Sequence, residues 1–241
     1  MLMHPKTMKP KFSWKTAGLS AIAIAVILLL AAPLTVALQA PHPDNLSTLP
    51  WWTAQINLQA SQNRDQTYSA CLFGDSISSG LGQTLGAGNV NFGTGGLSTV
   101  SLRTQLEILT NNRVGCDRAV IAIGTNDAMY TISDTQFIIN LRESLTLVRS
   151  MGAKQIKLVP AFYSTLAASQ NPLVAGPLPR IDEINRLIDQ ISQEQGVPLV
   201  LEGLENLYDG NELREELTFD GVHLNEAGKV IYRGFLNRVL R

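Results

Sequence analysis

A serine that follows a predicted buried strand is the first candidate for chemistry in this chain. The apolar run Tyr68–Phe73 ends at Gly74, and Ser76 follows two residues later. Ligands of open α/β sheets bind at the carboxyl ends of the strands, where a small residue lets the chain turn sharply. A serine hydroxyl is a poor nucleophile without a base, a group that orients the base and donors for an oxyanion. Ser76 is therefore a candidate nucleophile that needs three kinds of partner.

The candidate base is a histidine in the C-terminal part of the chain. Of the three histidines, His4 precedes a long hydrophobic run and His42 follows it, which leaves His223 for the folded domain. Asp220 lies three residues earlier, across a glycine turn, and could accept a hydrogen bond from the imidazole and set its tautomer. Taken alone, such a pair is more often structural, because an aspartate near a helix start commonly caps the helix.

Two loops that follow predicted strands could supply oxyanion donors. The segment Asn91–Gly96 is dense in glycine, so its backbone N–H groups could approach a substrate closely. It lacks the spacing and the acidic partner of a dinucleotide-binding loop. The segment Gly124-Thr125-Asn126-Asp127 places an asparagine amide after another strand, although such a sequence is also ordinary turn chemistry. Gly96 and Asn126 are the candidates.

Alternating strands and helices must position these side chains. Short apolar strands are predicted at Tyr68–Phe73, Val90–Phe92, Arg118–Ile123, Gln155–Pro160 and Pro198–Leu201. Between them, apolar residues recur at helical spacing: Leu102, Leu106 and Leu109; Phe137, Leu141, Leu145 and Val148; Ile181, Ile184, Ile188 and Ile191. A last helix is predicted to start near Asn225 and to present Ile231, Phe235 and Val239 on one face. The pattern predicts an α/β fold, a three-layer α/β/α sandwich with a five-stranded parallel sheet.

Four blocks of this sequence resemble the SGNH/GDSL hydrolase family. They are Gly74-Asp75-Ser76, the Asn-x-Gly-x-x-Gly segment that ends at Gly96, Gly124-x-Asn126-Asp127 and Asp220-x-x-His223, in the family's order. The resemblance covers residues 68–241, and Ile77 stands where the family name has leucine. It implies a flavodoxin-like sheet, with Ser76 as nucleophile, His223 as base and Asp220 as its orienting group. It also implies an oxyanion hole formed by the N–H groups of Ser76 and Gly96 and the side chain of Asn126.

The implied function is serine hydrolysis of carboxylic esters through an acyl-enzyme, as in esterases and lipase-like enzymes. Asp75 is expected to be structural. Two alternatives remain: an O-acyltransferase that acts on cell-envelope polysaccharide, and a non-catalytic binding domain on the same fold. No cofactor or metal is expected, because one domain histidine and two separated cysteines do not supply the usual ligands. Oligomeric state, acyl length and leaving group are not predicted.

The N-terminus predicts export. Lys6, Lys9, Lys11 and Lys15 precede an apolar run over residues 17–38. This arrangement is typical of a secretory signal, and the run is also long enough for a membrane anchor. Residues 1–40 are therefore assigned to a signal peptide or an N-terminal anchor, and the rest to the periplasmic or extracellular side, secreted or anchored.

Residues 41–67 are rich in Pro, Asn, Gln, Ser and Thr and are predicted to be a linker. Within it, Trp51 and Trp52 could lie at a membrane interface or pack on the domain as a strap, and packing is favoured. The formal net charge of −1 includes the four N-terminal lysines, so residues after 40 carry −5, which argues against a nucleic-acid partner. The expected partner is a small-molecule or envelope ester. The protein is also expected to contact the membrane through its N-terminal segment if that segment is retained.

Cys71 and Cys116 are predicted to be reduced, buried thiols. If the two glycines that end their strands are level, the cysteines differ by five residues along the strand direction. That difference corresponds to roughly 16 Å at about 3.3 Å per residue, which is too far for a disulfide.

Overall fold

The computed structural model describes residues 44–241. The signal peptide or anchor predicted for residues 1–40 lies outside the described residues. Within the described part of the chain, no helix has the length and apolar character needed to cross a membrane.

A parallel sheet forms the centre of the domain. Its strands are β2 (Ala70–Gly74), β3 (Asn89–Asn91), β5 (Arg118–Ala122) and β6 (Gln155–Val159), in the spatial order β3-β2-β5-β6. Just before β2 and β5, the short strands β1 (Thr67–Tyr68) and β4 (Gly115–Cys116) pair in parallel. A small antiparallel ribbon, β7 (Tyr208–Asp209) with β8 (Glu212–Leu213), lies late in the chain. This order is that of the flavodoxin-like α/β fold, so the predicted fold class is confirmed.

The fifth predicted strand, Pro198–Leu201, is reduced to one parallel bridge between Leu199 and Leu158. Leu158 N–H donates to the Pro198 carbonyl at 2.8 Å, and Val200 N–H donates to the Leu158 carbonyl at 2.9 Å. Proline has no N–H with which to continue the ladder, so the pairing stays short. The segment nevertheless occupies the place of a fifth strand beside β6.

Helices cover both faces of this sheet. In chain order they are α1 Pro50–Gln62, α2 Ser76–Ser79, α3 Thr99–Asn111, α4 Thr125–Met129, α5 Asp134–Ser150, α6 Leu166–Ser169, α7 Leu178–Gln195 and α8 Glu226–Val239. Apolar residues of α1, α3, α5 and α7 pack with one set of strand residues, including Cys71 and Phe73. Residues of α8 pack with the alternate set, including Ala70 and Leu72. Successive strand side chains point to opposite faces, so each strand contributes to both cores.

The segment predicted as a linker contains helix α1, which differs from the expectation for residues 41–67. Trp52, Ile56 and Ala60 lie on one face of α1 and are fully buried in the core, whereas Trp51 is exposed. Of the two environments considered for the tryptophans, Trp52 therefore packs on the domain. The polar composition of the segment concealed the helix, because only every fourth residue is required to be apolar to bury this narrow face.

The prediction of reduced cysteines is wrong, because Cys71 and Cys116 form a disulfide with their Cα atoms 5.9 Å apart. The strand-end glycines are not level: Gly74 pairs with Ala122, so Cys71 lies beside Ala119. That register removes two of the five residues of separation. The hydrogen-bonded ladder between the two segments is also interrupted at Ser69 and Asp117, where the backbone of each segment bends. These bends bring the sulfur atoms into bonding distance.

Candidate active site

Ser76 is the first residue of α2, directly beyond the end of β2. Asp75 is the N-cap of this helix, and its carboxylate accepts a hydrogen bond from the Ile77 N–H at 2.9 Å. A Cβ on Gly74 would lie 2.9 Å from the Ala122 carbonyl oxygen, so only glycine lets the strand end this close to its neighbour. The turn presents Ser76 half-buried at the carboxyl edge of the sheet, as the sequence predicts.

Ser76, His223 and Asp220 form a continuous hydrogen-bonded chain. Nε2 of His223 lies 2.9 Å from Oγ of Ser76, and Nδ1 lies 2.6 Å from Oδ2 of Asp220. The other carboxylate oxygen, Oδ1, accepts from the N–H groups of Val222 and His223 at 3.0 and 2.7 Å. These backbone bonds fix the carboxylate, so it can hold the imidazole in one tautomer with Nε2 facing the serine.

Gly221 lets the loop that carries Asp220 and His223 fold against the segment after β6. Its φ is +88°, and an added Cβ would lie 2.7 Å from the Ala168 Cβ. The Gly221 carbonyl accepts from the Thr165 N–H at 2.8 Å. Within the loop, Thr218 Oγ1 donates to the His223 carbonyl at 2.7 Å. The imidazole is therefore positioned by backbone contacts on both sides of the turn.

The two aspartates near the site have opposite electrostatic environments. Partial burial acts to raise the pKa of Asp220, but hydrogen bonds from the His223 backbone and ring outweigh it, so this pKa lies below its usual value of 3.8. Burial raises the pKa of Asp75 to about 6, despite the hydrogen bond from Ile77. Asp220 is thus the carboxylate that stays ionised beside the imidazole, while Asp75 caps the helix.

Three hydrogen-bond donors close to the strand ends have hydrogen-bonding capacity left over. Within residues 44–241, the backbone N–H groups of Ser76 and Gly96 donate no hydrogen bond. Asn126, in α4 after β5, uses one amide hydrogen to donate to the Leu97 carbonyl at 2.9 Å, which leaves the second available. These are the three groups that the sequence proposes for an oxyanion hole.

Tyr130 fixes the peptide at Gly96, and sequence reasoning missed it. Gly96 has φ +73°, and its carbonyl accepts from the Tyr130 hydroxyl at 3.1 Å. Burial, together with the negative charges of Asp44 and Asp127, raises the pKa of Tyr130 to about 12, so the phenol remains a donor. Tyr130 lies outside all four sequence blocks, and no pattern in the sequence identifies it.

Asp127, the last residue of the third block, is buried and hydrogen-bonded to Thr99. Its two carboxylate oxygens each lie 3.1 Å from the Thr99 N–H at the start of α3. Burial raises the pKa of Asp127 to about 7, although hydrogen bonds from Thr99 act against this shift. The residue links α4 to α3, and so helps to hold Asn126 beside Leu97.

An exposed phenylalanine covers the histidine. The rings of Phe219 and His223 stack with their centroids 5.8 Å apart and their planes 15° apart, and Phe219 is 69% exposed. Pro172 and Leu173, in the segment that follows β6, contribute to a cleft of about 370 Å³ that is also lined by Tyr130. Among the described residues, no cluster of His, Cys, Asp and Glu is suited to a metal ion.

A flavodoxin-like sheet with a serine, a histidine and an aspartate hydrogen-bonded at its carboxyl edge defines a class of hydrolytic enzymes. The model of the GDSL-like Lipase/Acylhydrolase family matches residues 72–231, and the chain belongs to this family of ester hydrolases. The predicted resemblance is thereby confirmed. No curated protein matches the chain.

Solved structures share the fold at low sequence identity. A Streptococcus pneumonia protein whose description names platelet activating factor is 21% identical, with a TM-score of 0.68 over 91% of this chain and 99% of that one. A lipase/acylhydrolase from Enterococcus faecalis is 22% identical, with a TM-score of 0.56 over 72% and 95%. An acetylxylan esterase from Geobacillus stearothermophilus is 22% identical, with a TM-score of 0.52 over 71% and 93%.

Proposed function

We propose that this protein is a serine esterase that cleaves carboxylic esters through an acyl-enzyme. The observation that carries the proposal is the hydrogen-bonded chain from Asp220 through His223 to Ser76, at 2.6 and 2.9 Å. The family contributes the reaction class, ester hydrolysis. The substrates named for similar structures are known only for those proteins.

His223 acts first as a general base and then as a general acid. It takes the proton from Ser76 as the serine oxygen attacks the ester carbonyl, and Asp220 stabilises the resulting imidazolium. The N–H groups of Ser76 and Gly96 and the amide of Asn126 hold the negative oxygen of the tetrahedral intermediate. His223 then protonates the departing alcohol, and water reverses the steps to release the acid.

Hydrolysis is favoured over acyl transfer to a sugar by the openness of the site. The side chains of His223 and Asp220 are 38% and 39% exposed, so bulk water can reach an acyl-enzyme next to the base. The acyltransferase alternative requires an acceptor that competes with this water. Adding polysaccharide or simple sugars to the assay should therefore leave the yield of free acid unchanged.

Export to an oxidising compartment is part of the proposal. The Cys71–Cys116 disulfide supports it, because disulfides persist in secreted and periplasmic proteins and are rare in the cytosol. The basic and apolar N-terminal sequence supports it as well. Whether the N-terminal segment is removed is tested by measuring the mass of the mature protein.

Replacement of the serine tests the proposal directly. The variant Ser76→Ala should lose turnover of p-nitrophenyl acetate and labelling by a fluorophosphonate. Ser79→Ala is the matched control, because Ser79 ends the same helix and is exposed. Full labelling of Ser76→Ala would refute the assignment of the nucleophile, and a wild-type protein that neither labels nor hydrolyses any ester would favour the binding-domain alternative.

A further inference from the structure

A cleft of about 370 Å³ opens beside Gly96, and part of its wall comes from residues 44–49. These residues precede the part of the chain that matches the family model. Its lining includes the side chains of Asp44, Leu46, Leu49, Met129, Tyr130 and Leu173. We refer to this space as the Tyr130 cleft.

The Tyr130 cleft adjoins the proposed oxyanion hole. From the point where a Cβ on Gly96 would lie, the Tyr130 hydroxyl is 3.2 Å away and Leu46 Cδ2 is 3.6 Å away. A carbonyl group whose oxygen binds at the Gly96 N–H would therefore lie next to residues that line this cleft.

Asp44 anchors the N-terminal wall of the cleft to the start of α3. Its Oδ2 accepts from the hydroxyls of Ser98 and of Ser101, the latter at 2.8 Å, and its Oδ1 accepts from the Leu46 N–H at 2.8 Å. Because these donors occupy the carboxylate, it holds the wall in place beside Gly96. The side chains of Leu46, Leu49, Met129, Tyr130 and Leu173 present mainly apolar atoms to the cleft.

The sheet order indicates which part of an ester enters the Tyr130 cleft. Gly96 follows β3, on one side of the strand that carries Ser76, whereas the His223 loop packs against Thr165 and Ala168 beyond β6. His223 must reach the leaving oxygen to protonate it, so the alcohol lies on the side of His223 and Phe219. With the oxygen at the Gly96 N–H and the alcohol near His223, the acyl substituent is left on the β3 side of the site, where the Tyr130 cleft lies.

We propose that the Tyr130 cleft binds the acyl chain of the ester and that residues 44–49 help to set the preferred chain length. This inference rests on the proposed esterase function. The cleft has the volume of roughly a dozen water molecules at about 30 Å³ each, far more than the methyl group of an acetyl ester requires. The preferred substrates are therefore esters of medium-length apolar acids, such as octanoyl esters, rather than acetyl esters.

The test compares kcat/KM for p-nitrophenyl octanoate and acetate in the full-length protein. Leu173 is 72% exposed, so Leu173→Arg should fold while placing a charge at the cleft. Leu49→Phe narrows the cleft from the other wall. Each variant should lower the octanoate-to-acetate ratio at least tenfold. Leu58→Arg is the control, because Leu58 is an exposed leucine of α1 that does not line the cleft.

Three further results decide the proposal. An unchanged ratio in both folded variants overturns it. A reciprocal series of acetates with ethyl and octyl alcohols should not respond to the variants, and a response there would assign the cleft to the alcohol instead. Binding of p-nitrophenyl octanoate to the Ser76→Ala protein, measured by calorimetry, should be lost when Leu173→Arg is added to the same protein. This readout needs no turnover, so absence of binding overturns the cleft assignment, whereas absence of wild-type hydrolysis with binding intact overturns only the esterase function.

Discussion

Nε2 of His223 lies 2.9 Å from Oγ of Ser76, although 147 residues separate them in the chain. The contact requires the end of β2 and the loop before α8 to meet at the same edge of the sheet. Helices α2 and α8, which flank these two segments, are joined by a second contact. It is a buried hydrogen bond of 2.9 Å between the hydroxyls of Ser78 and Tyr232. The pairing of serine and histidine is therefore supported by a contact between α2 and α8 that lies beneath the site.

Replacement of Asp220 by asparagine should lower kcat by about 10²- to 10⁴-fold, the usual contribution of general acid–base catalysis. The amide can still accept from the Val222 and His223 N–H groups through one oxygen. Its NH₂ would then face Nδ1, which favours the tautomer with a proton on Nε2, so the imidazole could not accept a proton from Ser76.

Steady-state kinetics with p-nitrophenyl acetate measures the effect of Asp220→Asn. Asp189→Asn is a suitable control, because Asp189 is an exposed residue of α7 whose carboxylate contacts Gln193. Activity of Asp220→Asn within about threefold of the wild type would contradict the orienting role proposed for this carboxylate.

Activity should fall as the pH is lowered, because a protonated His223 cannot act as a base. Asp75 could produce a similar acid limb, since burial raises its pKa to about 6. Asp75→Asn separates the two causes, as the amide oxygen can still accept from the Ile77 N–H. The pH profile of kcat/KM should keep its acid limb in this variant even if the plateau is lower. Loss of the limb would assign it to Asp75 and not to the base.

Much of the fold follows from local patterns that the sequence displays directly. The apolar spacing predicts α3, α5, α7 and α8, and Asn225 does cap α8 through hydrogen bonds to its side chain from Ala227 and Gly228. The location of residues at strand ends can be predicted because parallel strands have their carboxyl ends at one edge of the sheet. The sequence alone therefore predicts that one region of the fold contains Ser76, Gly96, Asn126 and His223.

Features that depend on register or on long-range packing were not predictable in the same way. The disulfide depends on a two-residue offset between strand ends and on bends at Ser69 and Asp117. Tyr130 acts through a hydrogen bond to a carbonyl 34 residues away, at Gly96. Helix α1 buries Trp52 through a narrow face within a polar segment. In each case the tertiary contact decides the outcome, and local composition carries little information about it.

The stability of the fold should depend on pH through Asp127. Its pKa is about 7 in the folded protein against an ordinary value of 3.8, so between these values the folded state binds a proton that the unfolded state lacks. The stabilising contribution is present at low pH and is lost as the pH rises through about 7. Asp127→Asn removes this titration while keeping an oxygen acceptor for Thr99.

Denaturant unfolding at pH 5 and pH 8 measures the effect of Asp127. The unfolding free energy of Asp127→Asn minus that of the wild type should increase by at least about 1 kcal/mol between these two pH values, since one pKa unit corresponds to about 1.4 kcal/mol. Asp75 titrates in both proteins, so its contribution cancels. A difference that is constant with pH would show that Asp127 is ionised throughout this range.

The Cys71–Cys116 disulfide should stabilise the fold by about 4 kcal/mol, the chain-entropy expectation for a loop of 45 residues. Because both cysteines are buried, thiol replacement would also alter packing, so the same chain should be compared after refolding with and without reductant.

Denaturant unfolding gives the difference in free energy, and thiol titration of the unfolded protein should find no free thiol in the oxidised sample and two in the reduced one. Two free thiols in protein purified from an oxidising compartment, or equal stability of the two forms, would contradict a stabilising bridge. Because the bridge lies at the start of β2, the reduced protein should also lose esterase activity at a lower temperature than the oxidised protein, in step with its unfolding.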